Sequence, residues 1–431
     1  MRSAVLAYGA LGLPLAFAAL PLYVHVPRLY AGEAGLSLAS VGAVLLAARI
    51  VDAVTDPLIG WARDHVPRPR AQLLAGVLLL GASLPLLLSP PAGTGASGLF
   101  VLLVLVSLGY SAASIGHAAW GAELTGTPTL RTRLVASREG FALLGVLLAA
   151  ALPGLLAGAD GEAAGVGRLV WVFLPLLGGC AAWTLLLAPP APARPSPPGD
   201  GWRGMGTVLG DRGFARLLLV LALNGIAAAV PSTTVLFFVT DVLQAGDRPG
   251  LFLVLYFLAA ASSLPAWVAL AARIGRLRAW LAGMLLAVVV FAWAGLLTAG
   301  DSGPYALICV LSGFALGADL ALPPALLAEL IARSGSAPRL AAGACFGWWN
   351  FVVKANLALA AGLALPLLAL LGYAPGSREP DALAALSAVY AFLPLVLKLG
   401  AIALLWQGRG RLEPAAAPVA TAHFPSQEPS R

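Results

Sequence analysis

The run Arg49-Ile-Val-Asp52-Ala-Val-Thr55-Asp56-Pro57-Leu-Ile-Gly60-Trp-Ala-Arg63-Asp64 sets carboxylates and guanidinium groups into a stretch otherwise suited to lipid. An uncompensated Asp at the centre of a spanning helix costs about 2.5–3.5 kcal/mol on insertion scales, so such groups usually face a cavity or an ion path. Asp52 and Asp56 are four apart and share one helical face, with Arg49 one turn earlier on the same side. Two acids so placed could hold a cation. The plainer alternative is an Arg49–Asp52 pair, with Asp56 as a polar contact between helices. Pro57 has no N–H, so the carbonyl of Ala53 loses its intrahelical partner and is expected to turn towards an ion. Lys354 is the single lysine of another apolar segment and needs a carboxylate or a wet cavity, for which Asp52 or Asp56 is the natural partner; the alternative is snorkelling to an interface.

The elements that must carry these groups are membrane spans. The chain of 431 residues is 60% hydrophobic and 10% charged, with mean hydropathy +0.90. Windows of about 20 apolar residues give about twelve spans between residues 4 and 406. The first run lacks the short apolar region and cleavage site of a signal peptide, so no cleaved leader is expected.

The net charge of +7 does not indicate nucleic acid, because the basic residues alternate between loops instead of forming one soluble face. Arg63, Arg68, Arg70, Arg131, Arg133, Arg194, Arg203, Arg212, Arg273, Arg276, Arg278, Arg333, Arg339, Arg409 and Arg411 fall on one side; Arg28, Arg168, Arg248 and Arg378 fall on the other. The positive-inside rule then places both termini in the cytoplasm of a multi-pass protein of the cell (inner or plasma) membrane. Cys180, Cys309 and Cys345 lie in separate apolar segments and read as small buried hydrophobes without a disulfide. His25, His65, His117 and His423 form no zinc pattern.

A Pro-rich stretch from 188 to 201 cannot pack as a helix and reads as a spacer. The expected organisation is a six-helix half over 1–188, a cytoplasmic linker over 189–212, a second six-helix half over 213–407 and a disordered tail over 408–431. Paired six-helix halves around a midplane site are the all-α major facilitator architecture, in which one half rocks against the other.

The run from Arg49 to Gly60 closely resembles the second-span signature of the glycoside-pentoside-hexuronide:cation symporters, the melibiose permease family. Further matches are Gly35-Leu-Ser37, Glu123-Leu124, Arg131-Thr-Arg133, Arg138, Leu322-Pro323 to Glu329, Phe351-Val-Val-Lys354 and Gly372-Tyr373, spread over roughly residues 4 to 406. The resemblance implies a symporter in which Asp52 and Asp56 bind the cation, with Arg49, Thr55 and Lys354 supporting the site and its coupling. It also implies a cytoplasmic gate of Asp64, Glu123 and Arg138, in which Arg138 could pair with Glu123; the alternative is that this pair only ties two helix ends. Sugar-transporting members carry an acid in span 1 and another four residues before a Trp in span 4. Here span 1 has no acid, and Gly116 stands four residues before Trp120, with His117 beside it. The substrate candidates are therefore Trp120, His117, Asn350, Asp319 and Asn224, with Trp348 and Trp349 as stacking residues.

The leading expectation is a monomeric, cation-coupled carrier of a sugar or glycoside. The alternative is a sodium-dependent carrier of lysophospholipid or another amphipathic solute. A polytopic enzyme is disfavoured: the short loops hold no paired acids, no Ser/His/Asp or Cys/His constellation and no phosphate loop. A non-transporting receptor is the remaining class. No organic cofactor is expected.

Overall fold

The computed structural model describes residues 2–32, 36–65, 69–91, 93–124, 127–157, 162–189, 204–246, 248–334 and 340–412. Gly35, Arg68, Arg194, Arg203, Arg339 and His423, most of the expected linker (190–203) and the tail from 413 lie outside the described residues.

The described chain is helical: α1 (Arg2–Ala10), α2 (Gly12–Gly32), α3 (Leu38–His65), α4 (Pro69–Leu88), α5 (Ala96–Glu123), α6 (Pro128–Ala157), α7 (Glu162–Leu187), α8 (Gly204–Thr207), α9 (Arg212–Phe237), α10 (Pro249–Ile274), α11 (Arg276–Ala294), α12 (Ser302–Arg333), α13 (Ala342–Leu370), α14 (Pro380–Ser387), α15 (Leu393–Gln407) and α16 (Arg409–Leu412). Without water in the hydrocarbon, each span must satisfy its backbone internally, and helices do so. Among the described residues, 10 helices are long and apolar enough to cross a membrane. The charged α3 is outside that set, although its 28 residues reach about 42 Å at 1.5 Å per residue. The expected first span is interrupted at Leu11, between α1 and α2.

α3 shows how the sequence divides lipid from interior. Leu46, Ile50, Val54 and Leu58 are exposed at four-residue spacing, whereas Ala48, Asp52, Asp56 and Gly60 are buried at the same spacing on the other side. The helix runs unbroken through Pro57, so the expected local unwinding at Ala53 is not observed.

One apolar core gathers α1, α2, α4, α5 and α7 around Phe17, Leu80 and Phe173. Others gather α9 to α15 around Trp280, Leu322 and Phe238. The two groups meet where α3 packs on α13 and where α6 packs on α10 and α12. Asp211 caps α9 by accepting from the Phe214 amide at 2.8 Å. The tail expected to be disordered from 408 begins instead with the turn α16, where Leu412 is buried and its carbonyl accepts from Arg333 at 3.2 Å.

Candidate functional site

α3, α5 and α13 bring the intramembrane charges together. Lys354 Nζ on α13 lies 3.3 Å from Asp52 Oδ2 and 3.0 Å from Asp56 Oδ2, and donates to Ser111 Oγ on α5 at 2.9 Å. Asn350, one turn before Lys354, donates to Asp56 Oδ2 at 2.8 Å. Ser107, one turn before Ser111, donates to Asp52 Oδ2 at 3.3 Å. Asp56 is wholly buried, and Asp52 Oδ1 is buried without a hydrogen-bond partner. The two carboxylates share the one ammonium of Lys354. With the hydroxyls of Ser107 and Ser111, the cluster offers hard oxygen donors and an orphaned acceptor, a set chemically suited to a small cation or a proton. Thr55 donates to the Asp52 carbonyl at 3.4 Å, within its own helix. Arg49 is half-buried on α3.

Next to this cluster lies a cavity of ≈ 280 Å³ between the two groups of helices, lined by His117, Arg138, Glu139, Asp319, Trp349 and Asn350 among others. His117 Nε2 is 2.7 Å from the Tyr8 carbonyl; a carbonyl accepts, so this nitrogen carries the hydrogen, and buried Nδ1 is left as an acceptor without a partner. Arg138 donates to Glu139 Oε1 from Nε at 2.9 Å and from Nη2 at 2.5 Å.

Several candidates are placed differently from expectation. Arg138 pairs with Glu139 beside the cavity and not with Glu123, which forms a two-pronged contact with Arg63. Trp120 donates to the Pro189 carbonyl at 3.1 Å and stacks under Arg70, away from the cavity lining. Asn224 accepts from Lys398 at 2.7 Å, inside the second group of helices. Lys398 also lies 2.8 Å from Asp319. Sequence reasoning missed Lys398, although the chain holds only two lysines. It also missed Ser107 and Ser111, whose four-residue spacing in an apolar span was the available signal, and Glu139.

The ends of α3 and α12 lock the two groups of helices together. Asp64 accepts from the Gly343 and Ala344 amides at 2.7 Å each, at the start of α13. Glu329 lies 3.0 Å from Arg131, 3.2 Å from Arg276 and 3.0 Å from Arg333, and Arg276 donates to the Pro128 carbonyl at 3.0 Å. α3 and α13 approach closely here because both carry glycine: a Cβ on Gly60 would sit 2.2 Å from the Gly343 carbonyl oxygen. Gly60→Val is accordingly expected to destabilise this closed arrangement by about 1–3 kcal/mol, read as a lower unfolding temperature; an unchanged temperature would refute the close-crossing argument.

A cavity with charged groups in its wall, set between two groups of membrane-length helices, is the arrangement of a multi-pass integral membrane transporter. The chain belongs to the MFS/sugar transport protein family, whose model matches residues 3–407. Its fold is similar to that of a bacterial homologue of the iron transporter ferroportin in the outward-facing state (17% identity, 95% of this chain and 100% of that one, TM-score 0.70). It is also similar to the E. coli fucose:proton symporter FucP (13%, 93% and 98%, 0.67) and the human organic anion transporter MFSD10 (19%, 94% and 99%, 0.65). At these identities the likeness concerns the major facilitator fold. A search of curated protein sequences returns no match.

Proposed function

We propose that this protein is a cation-coupled secondary transporter of a sugar or glycoside, working by alternating access, with sodium or a proton as the coupling ion. The observation that carries the reading is Asn350, which holds Asp56 at 2.8 Å while lining the central cavity. A change in occupancy at Asp52 and Asp56 therefore reaches the solute site through one side chain. The ion shifts the orientation of the carrier to the extent that its affinity differs between the two states.

The cavity lining favours a hydroxyl-rich solute. Arg138 donates, Glu139 accepts, and Trp349 offers an aromatic face of the kind on which a sugar ring stacks, with the His117 side chain beside them in the wall. The distribution of basic loops supports a cytoplasmic position, at the inner or plasma membrane, for both termini and for the end bearing Arg63, Arg131 and Arg276. A single copy suffices for this mechanism.

Counterflow in proteoliposomes with labelled monosaccharides, glycosides and lysolipids, under imposed sodium or proton gradients, tests the reading. Gradient-driven accumulation of a sugar supports it; accumulation of lysolipid alone replaces it with an amphipathic cargo, and absence of counterflow with every solute refutes transport of these classes. Glu139→Gln, which keeps the volume and removes the charge, is expected to weaken sugar binding about tenfold through the loss of a charge-assisted hydrogen bond. Equilibrium binding on the purified variant measures it, and unchanged affinity removes Glu139 from the site.

A further inference from the structure

A second cavity, of ≈ 260 Å³, lies inside the C-terminal group of helices, between α9, α10, α11, α12 and α15. Most of its wall is aromatic or aliphatic, with the rings of Phe252, Tyr256, Phe291, Tyr305 and Tyr390. Its charged lining groups are Asp319 and Lys398. Asp319 also lines the central cavity, so this carboxylate stands in the partition between the two spaces.

The pair is neutral and incompletely used. Asp319 Oδ1 accepts from Trp280 at 2.7 Å, and Oδ2 accepts from Lys398 at 2.8 Å. Lys398 donates in addition to Asn224 at 2.7 Å. An ammonium has three donors and each carboxylate oxygen can accept more than once, so one N–H and further lone pairs remain. A singly charged ligand would leave an unbalanced charge in a low-dielectric interior, which is strongly unfavourable. A ligand with both charges would leave none.

Among the lining rings, Tyr390 belongs to a π-helical turn, Ala388–Phe392 before α15, which packs against a second one, Phe238–Val242 after α9. They meet where Phe238 stacks on Tyr390, with ring centroids 4.1 Å apart, and Tyr390 shares a 2.8 Å hydrogen bond with Tyr305. Such wide turns recur at functional sites in helices.

We propose that this chamber is a binding site for a zwitterion with an apolar body, such as a free aromatic amino acid. The ammonium of the ligand would meet Asp319, its carboxylate would meet Lys398, and its side chain would lie among the rings. The site adjoins the central sugar site at Asp319 and does not require sugar binding there.

The test is equilibrium binding of radiolabelled L-phenylalanine to the purified full-length protein, with glycine, phenylethylamine and 3-phenylpropanoate as competitors. Saturable binding of L-phenylalanine is expected, with each competitor weaker by about tenfold or more, because each lacks the body or one charged contact. Ser312→Phe, which fills the chamber, is expected to abolish binding while leaving sugar counterflow intact; Ala287→Leu serves the same purpose where the larger ring prevents folding. The paired replacement of Lys398 by Met and Asp319 by Leu is expected to abolish binding without leaving a lone buried charge. Asp56→Asn is expected to retain it. Absence of saturable binding overturns the proposal, as do binding that survives the filling or paired variants, equal competition by either singly charged analogue, and loss of binding in Asp56→Asn.

Discussion

Asp56→Asn is expected to abolish cation-stimulated transport while the protein still inserts and folds. Asp56 is fully buried, 3.0 Å from Lys354 and 2.8 Å from Asn350, so the substitution keeps the volume and removes the charge. Breaking one partner of a buried ion pair costs about 3–5 kcal/mol when the other charge stays uncompensated, which corresponds to roughly two to three and a half orders of magnitude in an equilibrium constant. Here Asp52, 3.3 Å from Lys354, retains part of that compensation, so folding survives. The cluster then keeps a single carboxylate, Asp52, against the Lys354 ammonium, and loses one of the two acids that would hold a cation. Asp52→Asn is expected to act in the same direction. Uptake into proteoliposomes with and without sodium and proton gradients provides the measurement. Full stimulation by both ions in both variants would end the assignment. Lys354→Ala separates binding from coupling: the two carboxylates remain, so the ion should still bind, whereas the link from α13 to Asp52 and Asp56 is broken, and gradient-driven accumulation should fall. Unchanged accumulation would remove Lys354 from the coupling path.

Asp64→Ala is expected to open the end of the carrier that this structure holds shut. Each carboxylate oxygen accepts from one backbone amide at the first turn of α13, both at 2.7 Å, so one side chain on α3 satisfies two donors of a helix in the other group. Loss of such a cap costs about 1–2 kcal/mol, and the removed negative charge at a helix N-terminus adds up to about 1 kcal/mol. Together they shift the balance between closed and open forms about tenfold to a hundredfold. The ion pairs of Glu329 with Arg131 and Arg276 remain, so the shift should be partial. Distances between spin labels placed on α4 and α11, near Arg70 and Arg278, would report it. An unaltered distance distribution would show that the Asp64 cap does not hold this end closed.

The two experiments address opposite ends of one helix. α3 carries Asp52 and Asp56 at membrane depth and Asp64 at its terminus, and all three acids reach α13, where they meet Lys354, Asn350 and the amides of Gly343 and Ala344. The α3–α13 contact therefore carries both the proposed ion site and part of the lock. A rearrangement that separates these helices disturbs both together, which is the physical basis for expecting ion occupancy and orientation to be coupled.

Much of this was legible in the chain itself. Long apolar runs with few charges required membrane helices, because neither water nor a partner strand is available to satisfy a backbone in hydrocarbon. The cost of burying charge marked Asp52, Asp56 and Lys354 for one another, since a lone lysine and two lone acids within apolar spans each need compensation. Local periodicity carried the rest of α3, from its lipid-facing Leu46, Ile50 and Val54 to its inward acids.

Pairing across the fold was not legible in the same way. Arg138 and Glu123 are close in sequence, yet three-dimensional packing gives Arg138 to Glu139 and Glu123 to Arg63. Trp120 sits in a span that reaches the cavity at His117, but three residues further along, its indole meets Pro189 and Arg70 instead. Helical spacing determines which residues share a face of one helix, whereas the neighbour facing it depends on how helices cross, tilt and approach. That approach is set here by contacts such as Gly60 against Gly343, between residues nearly three hundred positions apart. The sequence alone thus determined that charges had to be buried and compensated in a membrane; only the tertiary structure decided which charge compensates which, because side-chain pairing is a property of the packed interface and not of any single helix.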